Sequence, residues 1–275
     1  MRDSYIVGII GAGNMGEALI KGLLRSQLVR SYEIIASARR SSRIHFLEKA
    51  YGIHTTLNNK MIMNSSDTVI LAVKPQNFEE LAGQIKDFVT ADHLLISIAA
   101  GLDLVMLRKL LGNKPKLIRV MPNLPAIVDQ GVSAIYCAPK VAERYRRFAH
   151  QIFQAVGTTV DIKDEQLMDV ITGVSGTGPA YIFALMEAMT QAGIKAGLTP
   201  KMAKTLIRQT VLGSALLASQ SEAEPKELRE RVTSKKGTTW AAMNVFQKQK
   251  FWTVVENAVE AAIKRSNELR KFKNS

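Results

Sequence analysis

A single cysteine, Cys137, stands in 275 residues, so no disulfide can form within the chain and the expected home is a reducing compartment, the cytoplasm. Long apolar runs are also missing. The longest uncharged stretch, Val170 to Met186, is broken by Gly173, Gly176, Gly178 and Pro179, and it falls short of the roughly 20 apolar residues of a membrane span. No membrane association is expected. The opening MRDSYIVGIIG passes from mixed charge into a strand-like run without a small-residue cleavage pattern, so no signal peptide is read there. Histidine is scarce: His45, His54, His93 and His150 have no carboxylate or cysteine at metal-ligand spacing, and no Ser/His/Asp arrangement can be argued from spacing. Acidic residues are outnumbered, 24 against 37 Lys and Arg. The basic surplus is spread over both halves, and clusters such as Arg144, Arg146 and Arg147 lack interleaved aromatics. Small anions, rather than nucleic acid, are the expected partners.

What is present divides the chain in two. Residues 5–10, 32–37, 68–73, 94–99 and 116–121 are almost continuously apolar, as strands covered on both faces must be, and weaker runs follow at 133–138 and 158–162. Amphipathic stretches between them, for example 77–89 and 141–156, supply the crossovers of a parallel, doubly wound, Rossmann-like α/β sheet. From about Asp164 the strand-like runs stop and helical patterns rich in Ala, Leu and Met continue to the end. The division is therefore 1–162, a dinucleotide-binding domain, and 163–275, an all-α domain. Thr199 followed by Pro200 marks a helix start. Residues 181–192 are nearly all apolar or small and read as a helix buried all round. Such a domain either closes a core of its own or buries part of its surface against a second copy of the chain.

In IIGAGNMGEALI, Gly11, Gly13 and Gly16 take the G-x-G-x-x-G spacing directly after the first strand and at the start of a helix. The first glycine permits a tight turn, the second lets a pyrophosphate approach the backbone, and the third lets helix and strand pack closely. The acidic residue that would meet the ribose of NAD at the end of the second strand is absent. Ser37, Arg39, Arg40 and Arg43 stand there instead, and guanidinium and hydroxyl donors suit a 2′-phosphate, hence NADPH, with NADH possible.

GAGNMGEAL, LAVKPQ (71–76), SIAAG (97–101), RVMPNLP (119–125), ITGVSGTGPAY (171–181) and VTSKKGTT (232–239) occur in the order found in pyrroline-5-carboxylate reductases. The chain resembles that family over nearly its whole length. The resemblance implies reduction of 1-pyrroline-5-carboxylate to L-proline, the last step of proline biosynthesis, and a C-terminal dimerisation domain whose dimers assemble further. It places Ile10, Gly11, Ala12, Gly13, Asn14 and Met15 over the pyrophosphate, Ser37, Arg39 and Arg40 near the adenosine ribose, and Asn59 against the cofactor. Ala72, Val73, Lys74 and Pro75, and Ile98, Ala99 and Ala100, match cofactor loops at later strand ends. Ser234, Lys236, Gly237, Thr238 and Thr239 match the turn that holds the substrate carboxylate, and Glu222 a glutamate lining the same site. For the reaction so implied, the proton on nitrogen comes either from solvent or through Thr239, and Glu222 is placed to favour the iminium electrostatically. One departure stands out, because Lys235 and Lys236 replace the proline and first glycine of the family's S-P-G-G-T-T. Lys236 either strains a left-handed position or adds positive charge beside the carboxylate. The residues alone leave two other readings open. One is a β-hydroxyacid or 6-phosphogluconate type dehydrogenase with Lys195 as base. The other is a non-catalytic, NADP-binding regulatory paralogue.

Overall fold

The computed structural model describes residues 5–271. The apolar runs become β1 (Tyr5–Ile10), β2 (Ile34–Ser37), β3 (His54–Thr56), β4 (Ser66–Leu71), β5 (Leu94–Ser97), β6 (Lys116–Met121), β7 (Gly131–Cys137) and β8 (Gly157–Asp161). They form one sheet in the order β3-β2-β1-β4-β5-β6-β7-β8. Chain order reverses between β1 and β4, so the carboxyl ends of these two strands flank the switch point at which open α/β sheets bind their ligands. Six of the seven pairings are parallel, and β6 with β7 is antiparallel. The five strong runs pair parallel as expected; β7, one of the weaker runs, turns antiparallel because the link from Met121 to Gly131 holds only a short helical turn, Leu124–Val128. A parallel crossover needs a dozen or more residues. Strand β3 is absent from the expectation because HTT is short, polar and only partly buried.

The helices are α1 (Asn14–Arg25), α2 (Ser41–Tyr51), α3 (Asn59–Ser65), α4 (Phe78–Ile85), α5 (Leu104–Leu111), α6 (Glu143–Gln154), α7 (Leu167–Ile171), α8 (Gly178–Lys195), α9 (Pro200–Gln220), α10 (Pro225–Arg231), α11 (Thr238–Lys248) and α12 (Phe251–Lys271). Their starts follow local chemistry. The Asp103 carboxylate accepts from the N–H of Met106 at 2.8 Å, and the Thr199 hydroxyl caps α9 by accepting from Met202 at 3.3 Å, with Pro200 next to it. Helix α2 stops at Gly52, whose φ of 64° is left-handed.

Alternation along the central strands feeds two apolar layers, one on each face of the sheet. Val7, Ile9, Ile34 and Ile70 join Leu19 and Leu23 of α1 and Phe153 of α6. Ile10, Ile35, Val69 and Leu71 join Phe78 of α4 and Leu107 of α5. Both layers are closed, which is why the strands read as unbroken apolar runs; each fully buried Ile, Leu or Phe contributes roughly 1.5–3 kcal/mol.

By packing, the chain forms two units. The sheet unit runs to Thr177 and takes in the residues from Ala262 on, and the helical unit is Gly178–Ala261. The sheet unit thus extends past the division read at 162/163, because polar contacts hold both added segments. Glu165 accepts from the N–H of Leu104 and from buried Arg119, each at 2.7 Å. Asp169 accepts from the Ser266 hydroxyl at 2.6 Å and pairs with Arg270 at 3.3 Å. In the helical unit α8 has no buried residue, contrary to the expectation of a helix buried all round. Phe183 is 55% exposed and Ile182 46%. Apolar side chains all round a helix demand cover, and the described residues of this chain leave them largely without it.

Gly22, inside α1, leaves no room for a side chain: a Cβ there lies 2.4 Å from Val156 Cγ1 and 2.7 Å from the Ala155 carbonyl oxygen. Ala gains about 1 kcal/mol of helix propensity over Gly, but overpacking costs about 1–3 kcal/mol. Gly22→Ala is expected to lower stability by up to about 2 kcal/mol in urea unfolding, and an unchanged midpoint would show that the 155–156 segment yields.

Candidate functional site

At the end of β1 the backbone turns left-handed at Gly11, with φ of 94°. The N–H groups of Gly11 and Ala12 both donate to the Ser37 carbonyl at the end of β2, at 3.1 and 2.8 Å, and Ala72 at the end of β4 donates to the Ile10 carbonyl at 2.8 Å. A Cβ at Gly11 would lie 2.8 Å from the Ala72 carbonyl oxygen, and one at Gly16 would lie 2.9 Å from that of Gly11. These two glycines are required by the protein's own packing. Gly13 differs, because a Cβ there meets nothing within 4 Å and its φ of −77° suits any residue. The protein's own packing does not require glycine at that position, and a glycine there leaves the backbone open to a ligand.

Gly13 is also the N-cap of α1 and supplies no side-chain cap. The N–H of Gly13 is spent on the Gly11 carbonyl at 2.7 Å. The donors left to face an anion are therefore those of the first helical turn, beginning with Asn14 and Met15, backed by the helix dipole. Ile10 and Ala12 are buried and frame the turn; Asn14 is exposed and Met15 half-buried.

Ser37 is buried at the end of β2, and its hydroxyl donates to Asn59 Oδ1 at 2.6 Å; Asn59 Nδ2 in turn donates to Gln84 at 2.8 Å. Arg39 and Arg40 follow in the loop that enters α2. Both are exposed, and neither side chain has a hydrogen bond or ion pair among the described residues. Arg43 does not join them. Its Nε donates to the Ala12 carbonyl at 2.9 Å and its Nη2 to that of Gly13 at 3.3 Å, and it pairs with Glu17, whose other carboxylate oxygen accepts from Tyr51 at 2.7 Å. Partial burial pushes the Glu17 carboxyl up, but the hydrogen bonds from Tyr51 and Arg43 outweigh it and hold the group below the usual carboxylate range. The Tyr51 phenol is raised, by burial first and then by its bond to Glu17. Sequence reasoning had no signal for the Glu17–Tyr51 pair, which only the packing of α2 on α1 creates.

Ala72, Val73, Lys74 and Pro75 follow β4, and Ile98, Ala99 and Ala100 follow β5, where Ile98 donates to the Leu71 carbonyl at 3.2 Å. The sheet unit thus gathers every expected cofactor residue along one rim. An uncapped helix start, two unpaired arginines and a strand end without a carboxylate fit a dinucleotide with a 2′-phosphate.

The helical unit carries the other set. Glu222 lies exposed in the loop between α9 and α10. Ser234 begins the turn, Lys236 and Gly237 complete it, and Thr238 and Thr239 open α11. The Gly237 N–H donates to the Ser234 carbonyl at 3.0 Å, and a Cβ on Gly237 would lie 2.3 Å from the Ser234 hydroxyl. Gly237 offers no side-chain cap to the first N–H groups of α11. Lys236 sits at φ 61°, the left-handed region that favours glycine. Lys195, the base that a hydroxyacid dehydrogenase would need, is the exposed last residue of α8.

Residues 165–269 match the family model described as pyrroline-5-carboxylate reductase dimerisation, and residues 6–101 match that described as NADP oxidoreductase, coenzyme F420-dependent. A pyrroline-5-carboxylate reductase of Pseudomonas aeruginosa is 41% identical over 263 residues, covering 96% of each chain. Among solved structures, a pyrroline-5-carboxylate reductase from Coxiella burnetii superposes with a TM-score of 0.89 at 33% identity, over 97% of this chain and 98% of that one. The Plasmodium falciparum pyrroline carboxylate reductase with NADP bound gives 0.87 at 28%, over 98% and 100%.

Three substitutions test the glycine and lysine assignments. Gly13→Ala is expected to keep wild-type thermal stability while weakening dinucleotide binding tenfold or more, whereas Gly11→Ala loses about 1–3 kcal/mol of stability from its strained φ and its clash. Left-handed strain at Lys236 costs roughly 1–2 kcal/mol and glycine's extra chain entropy about 0.5–1 kcal/mol. Lys236→Gly is therefore expected to raise stability by up to about 1 kcal/mol in urea unfolding.

Proposed function

The chain belongs to the pyrroline-5-carboxylate reductase family, and from that premise we propose that it reduces 1-pyrroline-5-carboxylate to L-proline with NADPH, NADH being the weaker donor. The observation that carries the reading is 41% identity across 96% of the chain, which spans both the glycine turn and the Ser234–Thr239 turn. The hydroxyacid dehydrogenase and non-catalytic readings have no comparable support.

The cofactor, when bound, supplies a hydride to the imine carbon. The chain's own part is placement. The first turn of α1 holds the diphosphate, Ser37, Arg39 and Arg40 the 2′-phosphorylated ribose with Asn59 beside it, and the loops after β4 and β5 (Ala72, Val73, Lys74 and Pro75; Ile98, Ala99 and Ala100) the remainder. Ser234, Lys236, Gly237, Thr238 and Thr239 grip the substrate carboxylate through backbone N–H and hydroxyl donors. The imine is already an electrophile once protonated, so orientation and exclusion of water supply most of the rate. Thr239 delivers the proton to nitrogen, and Glu222 stabilises the cation. In this reading residues 163–275 are the dimerisation and substrate domain, a second copy covers the exposed apolar side chains of α8 and α9, the dimers assemble further, and the protein works in the cytoplasm. No helix among the described residues is long and apolar enough to cross a membrane.

Purified protein is expected to oxidise NADPH only when pyrroline-5-carboxylate is added, with proline accumulating in step; no oxidation above background removes the assignment. In the Arg39→Ala/Arg40→Ala variant the KM for NADPH is expected to rise about tenfold or more, from the loss of charge-assisted bonds to phosphate, with that for NADH changing by less than about twofold. Equal losses with both cofactors would undo the role of these arginines.

A further inference from the structure

Arg43 is the third residue of α2, and its guanidinium turns back toward α1 rather than outward with Arg39 and Arg40. It donates to the carbonyls of Ala12 and Gly13 at 2.9 and 3.3 Å. The Gly13 carbonyl belongs to the same peptide unit as the N–H of Asn14. Because that unit is planar and trans, fixing the oxygen toward Arg43 sends the Asn14 N–H the opposite way. The Gly13 carbonyl also accepts the first helical bond, from the Glu17 N–H at 2.8 Å, so Arg43 adds a second, charged donor to an oxygen whose direction turns the Asn14 N–H toward an anion, and it ties down the Ala12 carbonyl as well.

The guanidinium is itself held. Its side chain is 22% exposed and that of its partner Glu17 25%, and Glu17 is gripped from both ends of α2, by Arg43 near the start and by Tyr51 as the last residue. Helix α2 is thus tied to α1 at two points about two helical turns apart.

We propose that Arg43, held by Glu17 and Tyr51, is a positioning residue that pre-organises the α1 donors for the diphosphate of the cofactor, separately from the recognition of the 2′-phosphate by Arg39 and Arg40. The inference rests on the cofactor site assigned above. It divides the arginines that follow β2 into two functions: one sets affinity for any dinucleotide, the other sets preference among them.

Calorimetric titration with two fragments separates these functions. ADP-ribose carries the diphosphate without a 2′-phosphate; adenosine 2′,5′-bisphosphate carries the 2′-phosphate without the diphosphate. Arg43→Ala is expected to weaken ADP-ribose and NADPH about tenfold or more, as the loss of two charge-assisted bonds would, and adenosine 2′,5′-bisphosphate by less than about threefold. Glu17→Gln keeps the guanidinium but loosens its hold, and should shift the ligands in the same order by a smaller factor. Unchanged ADP-ribose affinity in Arg43→Ala, or equal loss of both fragments, overturns the proposal, the latter because general disruption of the fold or direct contact with the 2′-phosphate would produce it. Wild-type protein that binds neither fragment removes the cofactor site itself, and the proposal with it.

Discussion

The structure turns on one steric constraint, the left-handed residue that lets β1 end against β4. Gly11 lies so close to the Ala72 carbonyl that no side chain fits, and its φ of 94° admits none without strain. From that position the chain enters α1, whose axis then points an uncapped amino end at the switch point of the sheet. The bonds from Gly11 and Ala12 to the Ser37 carbonyl bring the end of β2 to the same place. Anion donors and the arginines after β2 become neighbours because three strand ends share one rim, not because they are close in sequence.

Charge is distributed around this rim according to whether it is consumed. Arg43 spends its donors on the backbone and on Glu17, so its positive charge is largely internal. Arg39 and Arg40 are exposed and unpaired, which leaves their donors for a ligand. Farther along the sheet Arg119 is 4% exposed and answers Glu165, which also takes the Leu104 N–H. Removing either partner would strand a charge in a poorly solvated place. Identical side chains thus occupy three environments, and burial with partner supply tells them apart.

Much of the sheet unit was legible. Almost unbroken apolar runs located five of the eight strands, since a strand covered on both faces has no polar positions to show, and two weaker runs located β7 and β8. The glycine spacing located the turn, and the lack of an acidic residue after β2 pointed to the phosphate. What escaped had no periodic signature. β3 is held by a neighbour rather than by its own polar HTT sequence, and the antiparallel β7 follows from the shortness of the preceding link, a feature of spacing and not of composition. Arg43 was legible as a basic residue but not as a clamp, because its direction depends on how α2 packs. The left-handed Lys236 was foreseeable only by setting its turn beside the family's glycine, and its φ of 61° bears out that concern. Helix α8 was legible as apolar, yet the sequence could not say whether its cover lies in the same chain.

Ala203 is the one buried residue among residues 178–261. A segment so nearly without an interior has little hydrophobic free energy with which to offset its conformational entropy as a monomer. If a second copy supplies the missing cover, order in this segment and association become one equilibrium, which total protein concentration shifts. On that footing abundance would itself be a folding condition, and dilution would remove ordered molecules as well as copies.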